Sequence, residues 1–213
     1  MKPDVDYTLY LVTDRSLMSS ETIEESVEQA VLGGCTLVQL REKNVSSKVF
    51  YDTAVRVRAV TSRLGVPLII NDRVDIAMAI DADGVHVGQD DLPAVAVRRM
   101  IGPHKIVGVS ASHLSEALAA VSAGADYIGV GAMYKTGTKM DANTITMDAL
   151  RQIRRAVALP IVVIGGISME TTPHFYGTGI DGLAVVSAIV AQTDVAAAAR
   201  GIKELFLQGR AIK

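Results

Sequence analysis

Residues 79–88, AIDADGVHVG, join a cluster of small residues to an aspartate and then to a β-branched run. The pattern recurs as SAGADYIGVG at 122–131 and GTGIDGLAVV at 177–186, and VLGGCTLVQL at 31–40 is a looser copy without the aspartate. Glycine suits the end of a helix because it tolerates a left-handed backbone. A short apolar run bounded by such punctuation reads as a strand buried on both faces. Each copy is therefore a junction from helix to strand.

Outward from these junctions the alternation extends along the whole chain. Strands are predicted at 7–13, 35–41, 67–71, 83–87, 105–109, 126–130, 160–164 and 181–186. Helical patterns fall at about 21–32, 46–64, 72–80, 93–101, 113–123, 146–158, 168–177 and 193–206. Eight such units predict an α/β fold, a closed parallel (β/α)8 barrel with helices outside. No linker, low-complexity segment or charge run divides the chain, so residues 1–213 are expected to form one domain. An open doubly wound sheet is the structural rival, but the GxGxxG turn that usually follows its first strand is absent.

Composition narrows the function. Hydrophobic residues make up 49%, which suits strands buried on both faces. The most apolar stretch, VALPIVVIGGI at 157–167, is interrupted by Pro160 and Gly165-Gly166 and is too short for a membrane span. A net charge of -2 and 4% aromatic residues give no support for a nucleic-acid surface or a basic membrane-binding face. The acidic start, MKPDVDYTLYLVTD, lacks the pattern of a secretory signal, and a single cysteine fits a reducing compartment. The expectation is a cytoplasmic protein acting on small molecules, with a homo-oligomer left open.

In such barrels reactive groups gather at the C-terminal ends of the strands. In VQLREK, residues 38–43, the two-residue period puts Gln39, Arg41 and Lys43 on one face and Val38, Leu40 and Glu42 on the other. Cations in such a row are costly to bury without an anion, which favours ligand binding over a solvated strand end. Asn71-Asp72 ends the third strand and Asp90-Asp91 follows the fourth, inside INDRVDIAMAIDADGVHVGQDD at 70–91. Neighbouring strand ends could bring Asp72 and Asp91 together around magnesium, while a helix cap at Asp72 is the competing explanation.

Other strand ends are less specific. Thr136, Thr138 and Lys139 surround Gly137 in a loop that could clamp phosphate or act as a lid. Gly165-Gly166 and the helix start near Ser187 follow the seventh and eighth strands, the usual phosphate site of this architecture. Ser110 points to the same mouth without an evident Ser-His-Asp setting. His86 reads equally as a satisfied core histidine or a catalytic one, and Cys35 as a buried small side chain. His104, His113 and His174 show no metal-ligand spacing.

In order, LYLVTD, VQLREK, INDRVDIAMAIDADGVHVGQDD, GVSA, TGTKMDA, IGGI and VVSAI resemble the thiamine-phosphate synthase family from about Leu9 to Ile189. The resemblance implies a TIM barrel that joins hydroxymethylpyrimidine diphosphate to thiazole phosphate with magnesium, giving thiamine phosphate and pyrophosphate. It implies that Asp72 and Asp91 hold Mg2+, and that Arg41, Lys43, Asn71 and Lys139 bind the diphosphate. Gln39 and Ser110 would contact the pyrimidine or its leaving group. Thr136 and Thr138 would bind the thiazole phosphate with Gly166, Val186 and Ser187. Catalysis would fall to Arg41, Lys43, Ser110 and Lys139.

The chain departs from the family pattern at Ala132 and Tyr134-Lys135, where Pro and Phe-Pro are common, and in DANTIT at 141–146. Those departures bear on lid shape and thiazole contacts. Two rivals remain on the same barrel, a thiazole tautomerase and a non-catalytic thiamine-phosphate binder. The tautomerase is associated with a histidine where Ser112 stands here; the nearest, His113, is one residue further on.

Overall fold

The computed structural model describes residues 4–135 and 144–211. Among them, eight parallel strands follow one another around a closed barrel: β1 (Leu9–Val12), β2 (Leu37–Leu40), β3 (Leu68–Asn71), β4 (Gly84–Val87), β5 (Ile106–Ala111), β6 (Tyr127–Val130), β7 (Ile161–Val163) and β8 (Gly182–Val185). The last strand pairs with the first, closing the sheet. The helices are α1 (Ile23–Leu32), α2 (Ser47–Arg63), α3 (Val74–Ala79), α4 (Ala94–Ile101), α5 (Leu114–Ser122), α6 (Met147–Ala156), α7 (Ser187–Val190) and α8 (Val195–Ala211). The predicted barrel is the observed one.

One expected helix is absent. Over 168–177 the chain forms only a 3-10 turn, Thr172–Phe175. Pro173 has no N–H to enter a helical ladder, and Gly177 and Gly179 take positive φ of 68° and 77° immediately beyond. Three other helix starts carry hydroxyl caps. Thr22, Ser46 and Thr146 each accept a hydrogen bond from the backbone N–H three residues on.

Strand alternation produces two cores. Outward-facing Leu11, Val38, Leu40 and Ile70 pack with the helices, while Tyr10, Leu37, Ile69 and Tyr127 fill the barrel. Gly108 makes room for one of these interior rings: a Cβ there would lie 2.1 Å from Cζ of Tyr127. No helix among the described residues is long and apolar enough to cross a membrane.

The quoted junctions act as clasps at the base of the barrel. Asp83, just before β4, accepts the Leu68 N–H at 2.8 Å and returns its own N–H to the Leu68 carbonyl at 3.0 Å. Asp126, just before β6, does the same with Val107 at 2.8 and 2.7 Å. Asp181, before β8, holds Ile161 at 2.8 Å in both directions. Each carboxylate also binds an arginine from the helix preceding the held strand: Arg58, Arg98 and Arg154 respectively. Thr36 performs this task for the looser copy, accepting the Leu9 N–H at 3.1 Å through its hydroxyl.

Truncating a clasp leaves a strand N–H without its acceptor and an arginine without its carboxylate, although Arg98 keeps the carbonyls of Gly102, Lys105 and Gly124. Asp126→Ala is expected to lower unfolding stability by about 2–3 kcal/mol, read from the urea midpoint. Thr36→Val, with no arginine at stake, should cost about 1 kcal/mol.

Candidate active site

The C-terminal ends of the strands surround a cavity of about 420 Å³. Gln39, Arg41, Lys43, Asn71, Asp72, Asp91, Ser110, Gly166, Val186 and Ser187 all line it, so ten residues singled out from sequence converge on one mouth. Thr136, Thr138 and Lys139 lie outside the described residues.

The face assignment for VQLREK holds. Gln39 is buried inside the barrel, and Arg41 and Lys43 continue its line into the mouth. On the opposite face, the Glu42 carboxylate pairs with Arg15 at 2.9 Å. Arg41 is held from two sides: its N–H donates to Thr13 Oγ1 at 2.9 Å, and its guanidinium reaches Asp14 Oδ2 at 2.9 Å. Asp14 was not singled out from sequence. Its position directly after the first strand offered a signal, since that is where reactive ends gather.

The two acids approach as neighbouring strand ends require. Asn71 is in register with His86, and the Asp72 N–H donates to the His86 carbonyl at 2.8 Å. Asp72 takes φ of +61°, which turns the chain sharply off β3. Its carboxylate receives the Lys43 ammonium at 2.5 Å. The capping alternative is not what the structure shows: α3 starts at Val74, and its N-cap is Arg73, without a side-chain cap bond. Asp91 Oδ2 accepts the Gly88 N–H at 2.8 Å, which ties the acid to the end of β4. Asp75 pairs with Arg73, and Asp90 is an exposed acid at the rim.

Partial desolvation raises the Asp91 pKa above its ordinary value. The Gly88 N–H opposes this, as does the more distant charge of Lys43, whereas the hydrogen bond and charge of Asp72 add to it. A carboxyl whose ionisation is disfavoured beside a second carboxylate suits a divalent cation with hard oxygen ligands. Among the described residues no cluster of three His, Cys, Asp or Glu could hold a metal alone. A two-carboxylate set matches magnesium's habit of completing its shell with water and phosphate oxygens.

Beneath the mouth, His86 Nε2 lies 2.9 Å from Ser110 Oγ and Nδ1 lies 2.8 Å from the Tyr127 hydroxyl. Ser110 thus has a histidine partner that sequence did not pair with it. The third member is a phenol rather than a carboxylate, so no Ser-His-Asp triad exists here. Burial pushes the His86 imidazole down to about 4, which leaves it neutral at pH 7. Register could have found the pair, because Gly84 to Val87 alternate like any barrel strand and place His86 inward.

On the far side, Gly165 and Gly166 take φ of +98° and +66°. A Cβ at Gly166 would come within 2.7 Å of Tyr134 Cβ, so the residue type admits the chain coming from β6. Tyr134 is anchored there by a 2.7 Å hydrogen bond to His174 Nδ1 and by an edge-on contact with Phe175. Tyr134, one of the positions that depart from the family pattern, is therefore packed onto the segments after β7; residues 141–143 lie outside the described residues. Cys35 is buried away from the mouth, as expected of a small core side chain. His113 caps α5 and pairs with Glu116 at 3.1 Å.

The closed barrel and its charged C-terminal mouth define a (β/α)8-barrel enzyme. A family model described as thiamine monophosphate synthase matches residues 9–189. The thiamine-phosphate synthase of Clostridium beijerinckii is 60% identical over 208 residues, covering 98% of this chain and 100% of that protein. The Clostridium botulinum thiamine-phosphate synthase is 60% identical over 206 residues, 97% of each chain. A solved thiamine phosphate pyrophosphorylase from Pyrococcus furiosus superposes with a TM-score of 0.88 at 37% identity, covering 96% of this chain and 97% of the other. The chain belongs to the thiamine monophosphate synthase family, whose members are transferases.

The raised pKa of Asp91 has a consequence for stability. Its folded value exceeds the unfolded one, so its stabilising contribution is complete below the unfolded pKa and is lost as pH rises through the folded value. Without divalent cation, Asp91→Asn should therefore melt higher than the parent at pH 7, with the difference narrowing towards pH 3. Thermal melts at the two pH values check the sign.

Proposed function

We propose that the chain condenses hydroxymethylpyrimidine diphosphate with thiazole phosphate to give thiamine phosphate and pyrophosphate. The whole of residues 1–213 would act as one catalytic domain in the cytoplasm. The observation that carries the site assignment is the meeting of Asp72, Asp91, Lys43 and Arg41 at one mouth.

In this reading Asp72 and Asp91 hold Mg2+. When bound, the ion supplies positive charge for the diphosphate. The Lys43 ammonium, which spans to Asp72 in the free site, would turn to the diphosphate oxygens, and Arg41 would do so from its Asp14 anchor. Asn71 adds a neutral donor beside them, and Lys139 a further cation. Breaking the carbon–oxygen bond sends its electron pair to the departing pyrophosphate and leaves a pyrimidinylmethyl cation. The thiazole ring nitrogen then donates the pair that forms the new carbon–nitrogen bond.

No protein nucleophile is needed. The residues align the two rings, stabilise the leaving charge and keep water out. Gln39 and Ser110 would orient the pyrimidine from β2 and β5. Gly166, Val186 and Ser187 would meet the thiazole phosphate through backbone amides and a hydroxyl, and the resemblance adds Thr136 and Thr138 to that set. His113 is occupied in capping α5, which disfavours the tautomerase reading.

Purified protein given both substrates and Mg2+ should release pyrophosphate and form thiamine phosphate, with neither product when one substrate is omitted. Binding of both without product would remove the proposal. Asp91→Ala should keep the circular dichroism spectrum and lose more than about 100-fold in turnover. An active Asp91→Ala enzyme would refute the metal assignment.

A further inference from the structure

Five polar side chains inside the barrel form one continuous hydrogen-bonded chain. The Gln39 amide nitrogen donates to the Tyr10 hydroxyl at 2.7 Å, and the Tyr10 and Tyr127 hydroxyls are 2.7 Å apart. Tyr127 then meets His86 Nδ1 at 2.8 Å, and His86 Nε2 meets Ser110 Oγ at 2.9 Å. Gln39 and Ser110, its two ends, line the mouth on β2 and β5. Tyr10, Tyr127, His86 and Gln39 are all buried, so these groups must satisfy one another.

Proton counting sets the direction of the whole chain. A phenol carries a single proton and a neutral imidazole one N–H. Tyr10 accepts from Gln39, and its own proton must therefore serve the Tyr127 oxygen. Tyr127 in turn gives its proton to His86 Nδ1, which has to be bare. The imidazole proton then sits on Nε2 and is donated to Ser110 Oγ. That serine oxygen is now an acceptor towards the histidine, and its hydroxyl proton is free to point into the cavity. Reversing one link requires reversing all of them, including a turn of the Gln39 amide.

We infer that Tyr10, Tyr127 and His86 are positioning residues that fix opposite hydrogen-bond polarity at the two cavity ends. Gln39 presents its carbonyl oxygen as an acceptor, and Ser110 presents its proton as a donor. The matching ligand offers an N–H towards β2 and a lone pair towards β5, which an amino-substituted nitrogen heterocycle provides. Only this ligand assignment rests on the proposed reaction. The buried chain then has a selective role: a ring with the reverse pattern would leave a donor facing a donor at both ends.

Nitrogen-15 NMR of the imidazole in the ligand-free protein tests the polarity without reference to any activity. The His86 signals are assigned by their loss in His86→Gln. The parent should show protonated Nε2 and bare Nδ1 at pH 7. Tyr127→Phe keeps the ring and removes the hydroxyl, so His86 should shift towards the Nδ1–H tautomer or a mixture. The same variant should raise KM for the pyrimidine diphosphate about tenfold and leave KM for the thiazole phosphate within about twofold. If that variant does not fold, Tyr10→Phe frees the Tyr127 hydroxyl from its fixed direction and leaves the Gln39 amide without its acceptor, so His86 should become a mixture of tautomers with the same split in KM. An Nδ1–H tautomer in the parent overturns the inference, and so does a tautomer shift with both KM values unmoved. An enzyme that makes no thiamine phosphate but shows the Nε2–H tautomer would sink the reaction and leave the polarity standing.

Discussion

The backbone N–H groups at the starts of β3, β5 and β7 are each received by the carboxylate that stands just before the following strand. The same aspartate returns its N–H to the residue it holds and takes an arginine from the helix behind. This two-point contact sets the register between strand partners at the base of the barrel. A slip of one residue would exchange the inward and outward faces of a whole strand. The positions of Gln39, His86 and Ser110 at the top therefore depend on Thr36, Asp83, Asp126 and Asp181 at the bottom.

Base and mouth use charge in opposite ways. At the base every clasping carboxylate has an arginine, and the pairs stabilise the frame. At the mouth Asp72 raises the cost of ionising Asp91, and Lys43 offsets it only in part. Arg41 is likewise committed to Asp14. Gathering these charges at one mouth weakens the fold locally, which is the expected cost of a prearranged charge cluster.

Much of the frame was legible because helix-to-strand junctions repeat a visible pattern, and seven of the eight strands lie within the predicted ranges, β5 running on to Ala111 beyond the expected end at 109. The polar stripe of VQLREK was equally readable from strand alternation. The helix over 168–177 was misread because apolar spacing outweighed Pro173 and the two glycines that follow. Spacing could not decide between a cap and a cation ligand at Asp72; the backbone turn at positive φ settles the cap against it. The links from Gln39 to Ser110 join residues up to 117 positions apart, and only closure of the barrel brings them together. Thr136, Thr138 and Lys139 rest on the sequence and the resemblance, since they lie outside the described residues.

The central claim is that Asp72 and Asp91 form a cation site that completes itself with a diphosphate. Calorimetric titration of inorganic pyrophosphate into the protein, with Mg2+ and with chelator, tests it most directly. The account predicts tight binding with Mg2+, and loss of more than about tenfold in affinity with chelator or in Asp72→Asn. Equal affinity in all three conditions would contradict it.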